Sequence, residues 1–381
     1  MTEAHDGSHR ARLAALGWAH FLNDGAANFL PGVLPLILID LNLSVGLAGS
    51  IMGALLIGQG LQPFVGLVAD RLGGRALIAA GLLGSSLGGA LIGWVDGIVS
   101  LVVVLVIIGI SNSLFHPQAL AGVRRLAVHR PGGAMSAFLV GGEIGRGVWP
   151  ALASALAVGL GRGHLWLMML PGLATVPLVL RAAPRLPARR ADAPRLNWRR
   201  NARPLALLVG YCALRGLMIF SLVTFMPLIW VEAGGDVTVG ASLLTVLLVV
   251  GVVGNLSGGW FADRFGTRRI LMATMAMATV LLGLFTQAAG VWLWLICAAL
   301  GIVLFATLPL TILVAQDLLP ENRSLGSGLA LGLANAVGAV GVMAVGPLAQ
   351  WWDVRAPLWC AAIGGLIAML LVLRMPRRAS A

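Results

Sequence analysis

Six ionisable side chains stand inside long apolar runs of this chain: His20, Asp24, His116, Glu143, Arg146 and Arg215. Each costs about 2.5–3.5 kcal/mol at membrane depth on insertion scales, so each needs a partner or a wet cavity. His20 and Asp24 are four residues apart and share one helical face, with Asn23 and Asn28 on faces nearby. Asn112 and His116 share a second face, and Tyr211 and Arg215 a third. Glu143 and Arg146 are three apart and can pair directly. Carboxylates and imidazoles that alternate between wet and dry surroundings can load and release protons. Guanidinium forks suit the oxygens of carboxylates and phosphonates. Asp24, Glu143, His20 and His116 are therefore candidates for proton coupling. Arg146, Arg215, Asn23, Asn112, Tyr211 and Gln59 are candidates for substrate binding.

Each has a plainer alternative. Glu143–Arg146 could be a static pair that neutralises itself on insertion. His20 could serve only as the hydrogen-bond partner of Asp24. His116, standing before Pro117, could bond locally. Arg215 could pair with Asp24 or Glu143, which would also let substrate and carboxylate compete for it. Gln59 and Gln62, Asn255 and Asn335 could simply join helix to helix.

The elements that must position these groups are transmembrane helices. The chain is 59% hydrophobic and 10% charged, too apolar a balance for a water-soluble domain. Apolar stretches of about 20 residues, the length that crosses a bilayer, recur throughout. They predict an all-α membrane protein of about twelve spans, at roughly 13–39, 46–69, 75–95, 98–127, 132–159, 163–181, 204–231, 238–262, 269–288, 290–318, 324–350 and 356–374. Residues 1–181 form an N-terminal six-helix bundle and 204–381 a C-terminal one. The Arg- and Pro-rich stretch 182–203 is the linker between them. The N-terminus does not read as a cleaved signal peptide, because its apolar run carries Asn23 and Asp24 and lacks a small-residue cleavage site.

The net charge of +12 comes from arginine alone, there being no lysine, and its distribution argues against nucleic acid. Nearly all arginines fall in the tails and the loops on one side. Only Arg162 and Arg355 fall in the loops opposite. That asymmetry places both termini in the cytoplasm of a bacterial inner membrane. Trp94, Trp230, Trp292, Trp294, Trp351, Trp352 and Trp359 fall near the arginine-poor ends, as an interfacial belt would. Cys212, Cys297 and Cys360 lie within apolar spans and read as small core residues.

The halves repeat at an offset of 192 or 193. Gly66-x-x-x-Asp70-Arg71-x-Gly73, followed by Arg75, returns as Gly259-x-x-x-Asp263-Arg264-x-Gly266, followed by Arg268. Pro35 returns as Pro227, Gly109 as Gly301 and Pro117 as Pro309, while Glu143 aligns with Asn335 and Asn23 with Arg215. Internal duplication of a six-helix unit is how many secondary transporters are built, with the substrate site near the midplane.

The duplicated loop resembles the signature loop of the major facilitator superfamily. The resemblance implies that Asp70 docks on the start of the eleventh helix and Asp263 on the start of the fifth, as latches that break when that side opens. It also implies that helices one, four and seven line a central cavity. Within the superfamily, His20-Phe21-x-Asn23-Asp24, Phe115-His116-Pro117 and Gly141-Gly142-x-x-Gly145 leading to Pro150 resemble the fosmidomycin-resistance-type drug exporters. That branch usually has Glu where Gln118 stands and Asn where Glu143 stands. Many superfamily antiporters carry an arginine where Leu105 stands.

These readings combine into a proton-coupled exporter of a small anionic or amphipathic organic compound, working by alternating access. The expected partners are a small-molecule substrate, protons and the lipid bilayer, with no nucleic acid; a monomer, a proton gradient as energy source, and no cofactor or metal are expected. Uptake of an organic anion is the alternative. An intramembrane enzyme or sensor is a remote third reading, since no H-E-x-x-H pair or G-x-S-G motif is present.

Overall fold

The computed structural model describes residues 2–62, 64–65, 74–126, 131–184, 198–319, 326 and 328–375. Every regular element among them is helical. Ten helices there are long and apolar enough to cross a membrane. The shorter Val45–Gln59 and the helix Pro131–Leu160 take the second and fifth positions, giving twelve spans in two six-helix bundles. The 182–203 linker falls mostly on 185–197, outside the described residues.

The first span is broken, with α1 (Thr2–Asn28) handing over at Phe29 to α2 (Leu30–Asp40). Pro31 and Pro35 both fall in α2, so two main-chain donors are missing just past the break. The second span is α3 (Ala48–Gln59), the third α4 (Gly74–Leu91), the fourth α5 (Ile98–Leu126) and the fifth α6 (Pro131–Leu160). The sixth ends in α7 (Leu170–Ala182). In the second half the seventh span is α8 (Trp198–Glu232), the eighth α9 (Val237–Phe265) and the ninth α10 (Thr267–Phe285). The tenth is α11 (Val291–Phe305) continued by α12 (Leu308–Leu318). The eleventh runs through a π-helical turn at Leu329–Leu333 into α13 (Ala334–Val345), and the twelfth is α14 (Ala356–Arg374).

The sequence repeat reappears in three dimensions. A Cβ on Gly109 of α5 would strike the Leu55 carbonyl and Gly58 of α3; one on Gly301 of α11 would strike the Leu247 carbonyl and Gly251 of α9. Small residues let the backbones of spans two and four, and of eight and ten, touch. Gly301→Val is expected to lower the detergent melting temperature, since overpacking costs about 1–3 kcal/mol. Gly259→Ala, whose Cβ meets open space, is expected to leave it unchanged. Thermal denaturation of the two purified variants checks the contrast.

The halves meet along two seams. In one, Gly46 and Gly49 face Gln350, Gly346 and Val342, while Gly53 and Gly60 face Met343 and Ala336 of α13. In the other, Gly147 of α6 lies against Leu248 and Val249 of α9, and Thr245 donates to the Gly147 carbonyl at 2.6 Å. These contacts run inward from the arginine-poor end, so the halves are pressed together there. Arg162 in that end's loops pairs with Asp40 at 3.2 Å and donates to the Val95 carbonyl, and Arg355 pairs with Asp353 at 3.4 Å. Trp94, Trp292, Trp351, Trp352 and Trp359 are exposed around it.

Candidate functional site

The break in the first span creates the centre of the site. Asn28, the last residue of α1, donates its side-chain amide to the Asp24 carbonyl at 2.9 Å. Gln59 of α3 donates to the Asn28 side-chain oxygen at 3.0 Å. Asp24 lies little more than one turn before the break and is buried inside the first bundle.

The Asp24 carboxylate, 4% exposed as a residue, gathers groups from three helices. From α1, His20 places Nε2 3.3 Å from Oδ2, and Asn23 donates to Oδ1 at 3.2 Å. From α5, His116 places Nε2 3.2 Å from Oδ1, and Asn112 donates to Oδ1 at 3.4 Å. From α6, Arg146 brings Nε to 3.6 Å from Oδ2, an ion pair without a direct hydrogen bond. Arg146 spends Nη2 on Glu143 Oε1 at 2.5 Å, while Glu143 Oε2 is buried without a hydrogen bond.

The two imidazoles are fixed by their other nitrogens. His20 Nδ1 donates to the Phe138 carbonyl at 2.7 Å, and His116 Nδ1 donates to the Asn112 carbonyl at 3.0 Å. A carbonyl only accepts, so in each neutral ring the proton sits on Nδ1 and Nε2 carries a lone pair. The two Nε2 atoms nevertheless face one another at 3.2 Å, beside a carboxylate. Acceptors crowded in this way need a cation among them, and one proton on either Nε2 turns the contacts into donated bonds. His20 is further clamped by ring stacking on Phe138 at 4.1 Å and Phe115 at 5.8 Å.

Arg215 is on the other side of the interface, in α8 of the second half. It is 3% exposed, makes no hydrogen bond or ion pair among the described residues, and its Nε is unsatisfied. It has no direct ion pair with Asp24 or Glu143 among the described residues, although its charge acts on Glu143 across the interface. Between the halves lies a cavity of about 40 Å³, room for water, lined by Asn28, Arg146, Pro150, Phe220, Leu244 and others. Arg146 reaches it with a side chain 28% exposed.

His20, Asn23, Asp24, Asn112, His116, Glu143 and Arg146 thus form one cluster, with Gln59 attached through Asn28. Tyr211 does not join it: the ring is fully buried within the second half and its hydroxyl donates to the Leu271 carbonyl at 3.3 Å. A phenol is satisfied by apolar packing plus one acceptor, and the ninth span supplies both. Phe138, whose ring and carbonyl both hold His20, gave no sign in the sequence, because a main-chain acceptor is invisible there.

Of the duplicated loop, Gly66, Asp70, Arg71 and Gly73 lie outside the described residues. Arg75 donates to the Ala183 carbonyl at 2.9 Å and Arg268 to the Leu373 carbonyl at 2.5 Å. The motif's last arginine therefore caps the C-terminal end of the sixth helix in each half, where cations are favoured. Gly266 adopts φ +88°, a turn conformation suited to glycine. Arg264 stacks over Trp260 and Phe265 at 6.0 and 5.9 Å. Asp263 is exposed, and residues 127–130, which lead into the fifth helix on which the family resemblance docks it, lie outside the described residues. Asp263 and Arg268 line a cavity of about 1010 Å³ at the arginine-rich end of the second half.

The model of the Major Facilitator Superfamily matches residues 16–322 and 207–381. The chain belongs to the major facilitator superfamily. It is 25% identical over 351 residues to the uncharacterized MFS-type transporter YfnC of Bacillus subtilis, covering 88% of this chain and 86% of that one. It is 24% identical over 376 residues to the fosmidomycin resistance protein of Escherichia coli, covering 94% and 91%. Among solved structures, the nucleoside transporter NupG superposes with a TM-score of 0.79 at 15% identity, covering 97% of this chain and all of NupG. A bacterial homologue of the human lysosomal transporter Spinster, inward-facing and occupied, superposes at 0.78 and 15% identity, covering 95% of each chain. The chain is thus a multi-pass membrane transporter of the secondary type and not an enzyme. The resemblance to the fosmidomycin-resistance-type branch carried by the sequence motifs agrees with the second of these relatives.

Proposed function

We propose that this transporter exports a small anionic or amphipathic organic compound in exchange for protons, by rocking of its two halves. The observation that carries the reading is Arg215. A buried guanidinium with no direct ion pair among the described residues is costly to hold, and the acid it acts on across the interface, Glu143, is already engaged by Arg146. An anion entering between the halves would pair with Arg215 and with Arg146. Asp24 and Glu143 are the proposed proton carriers, with His20 and His116 sharing the proton held at Asp24. The halves are pressed together at the arginine-poor end. We read this arrangement as the state open toward the cytoplasm, where an exporter collects its substrate.

Glu143→Gln keeps the shape of the side chain and a partner for Arg146 but cannot ionise. In everted vesicles the parent is expected to lose transport when the proton gradient is dissipated. Glu143→Gln is expected to show the same low transport whether or not a gradient is imposed. Gradient-driven transport equal to the parent's would remove Glu143 from the mechanism, and accumulation of substrate by intact cells would reverse the direction to uptake.

A further inference from the structure

We infer that His20, Asp24 and His116 form a binding site for one divalent transition-metal ion of the zinc type. The three side chains converge from two helices with their donor atoms inward. The imidazole Nε2 atoms are 3.2 Å apart, and each stands 3.2 or 3.3 Å from an oxygen of the Asp24 carboxylate. An ion at the centre of these atoms would sit about 2 Å from each, matching zinc–nitrogen and zinc–oxygen bonds of about 2.0–2.2 Å. Two imidazoles and one carboxylate are a donor set that zinc accepts with a further position open.

The surrounding groups fit the same purpose. Each imidazole donates Nδ1–H to a main-chain carbonyl, at Phe138 and at Asn112, which fixes the tautomer that presents Nε2 to a metal. The Asn23 and Asn112 amides hold the carboxylate from behind. Phe115 and Phe138 keep the His20 ring from turning. The His116 side chain is 16% exposed, so the ion would keep a side on which water or an anion can bind. Arg146, 3.6 Å from Asp24, opposes a dication, but its charge is already matched by Glu143. The site departs from the sequence reading, which placed no metal among these residues. It uses the atoms to which the transport reading assigns a proton, so a bound ion and that proton would compete for them.

The test uses the full chain purified in detergent and stripped with a chelator. Zn²⁺ is titrated calorimetrically with the melting temperature followed in parallel, and Co²⁺ serves as a spectroscopic probe. One ion per chain, a raised melting temperature and the intense visible bands of low-coordinate Co²⁺ are expected. His116→Gln should weaken Zn²⁺ binding at least tenfold, while replacing the exposed His164 with Gln should leave it unchanged. No saturable binding, or equal affinity in the parent and His116→Gln, would overturn the site. Should His116→Gln fail to fold, the parent's Co²⁺ spectrum decides, and the weak bands of hexa-aqua Co²⁺ would overturn it. Loss of binding overturns the metal site alone, because the transport reading is judged separately, by gradient-driven transport of the parent in chelator-treated vesicles.

Discussion

Replacing Arg215 with glutamine is expected to abolish transport of the anionic substrate and to raise the melting temperature of the empty protein. The two effects have one cause. Arg215 is buried without a direct ion pair among the described residues and is offset by Glu143 only at longer range, so holding its charge costs stability. Glutamine removes that cost. It also removes the fork that would grip a carboxylate or phosphonate, a contact whose loss costs at least about a hundredfold in affinity, or about 2.8 kcal/mol. Arg215→Lys keeps the charge but not the planar fork, and is expected to fall between the two. Vesicle transport and thermal unfolding of the same preparations give the answer. A variant that melts lower and still transports at the parent's rate would show that Arg215 is a structural residue.

Asp24→Asn should have the second-largest effect. Asp24 is the acceptor on which His20, His116, Asn23, Asn112 and Arg146 converge. An amide is isosteric but cannot balance a protonated imidazole or Arg146. Gradient-driven transport is expected to fall about a hundredfold or more, a change of about 2.8 kcal/mol. Substrate-induced thermal stabilisation is expected to persist, because Arg215 is untouched. Accumulation at the parent's rate under a gradient would take Asp24 out of the coupling.

Much of the fold was legible because a bilayer punishes irregularity. Apolar runs of the right length, the arginine asymmetry and the recurring offset each follow from one physical constraint, and the matched contacts of Gly109 and Gly301 show the duplication in space. Intramembrane charges were legible for the same reason, since each must be satisfied, and the spacings of His20 to Asp24 and Glu143 to Arg146 foretold real contacts. What could not be read was how helices rotate against one another. Tyr211 sits four residues before Arg215, yet its hydroxyl bonds the ninth span. The meeting of His20 with His116 joins residues 96 apart and depends on a carbonyl of Phe138 that no side-chain pattern reveals. Nor does sequence specify which state of a two-state protein is adopted.

For substrate to leave an exporter of this kind, the two halves must part at the arginine-poor end. Gly46 and Gln350 face each other across that seam, with the position a Gly46 Cβ would take 3.2 Å from the Gln350 Cβ, close to disulfide geometry. In a chain whose three native cysteines are replaced by serine, Gly46→Cys with Gln350→Cys should cross-link on oxidation and stop transport, and reductant should restore it. Full-rate transport by the completely cross-linked protein would contradict the account.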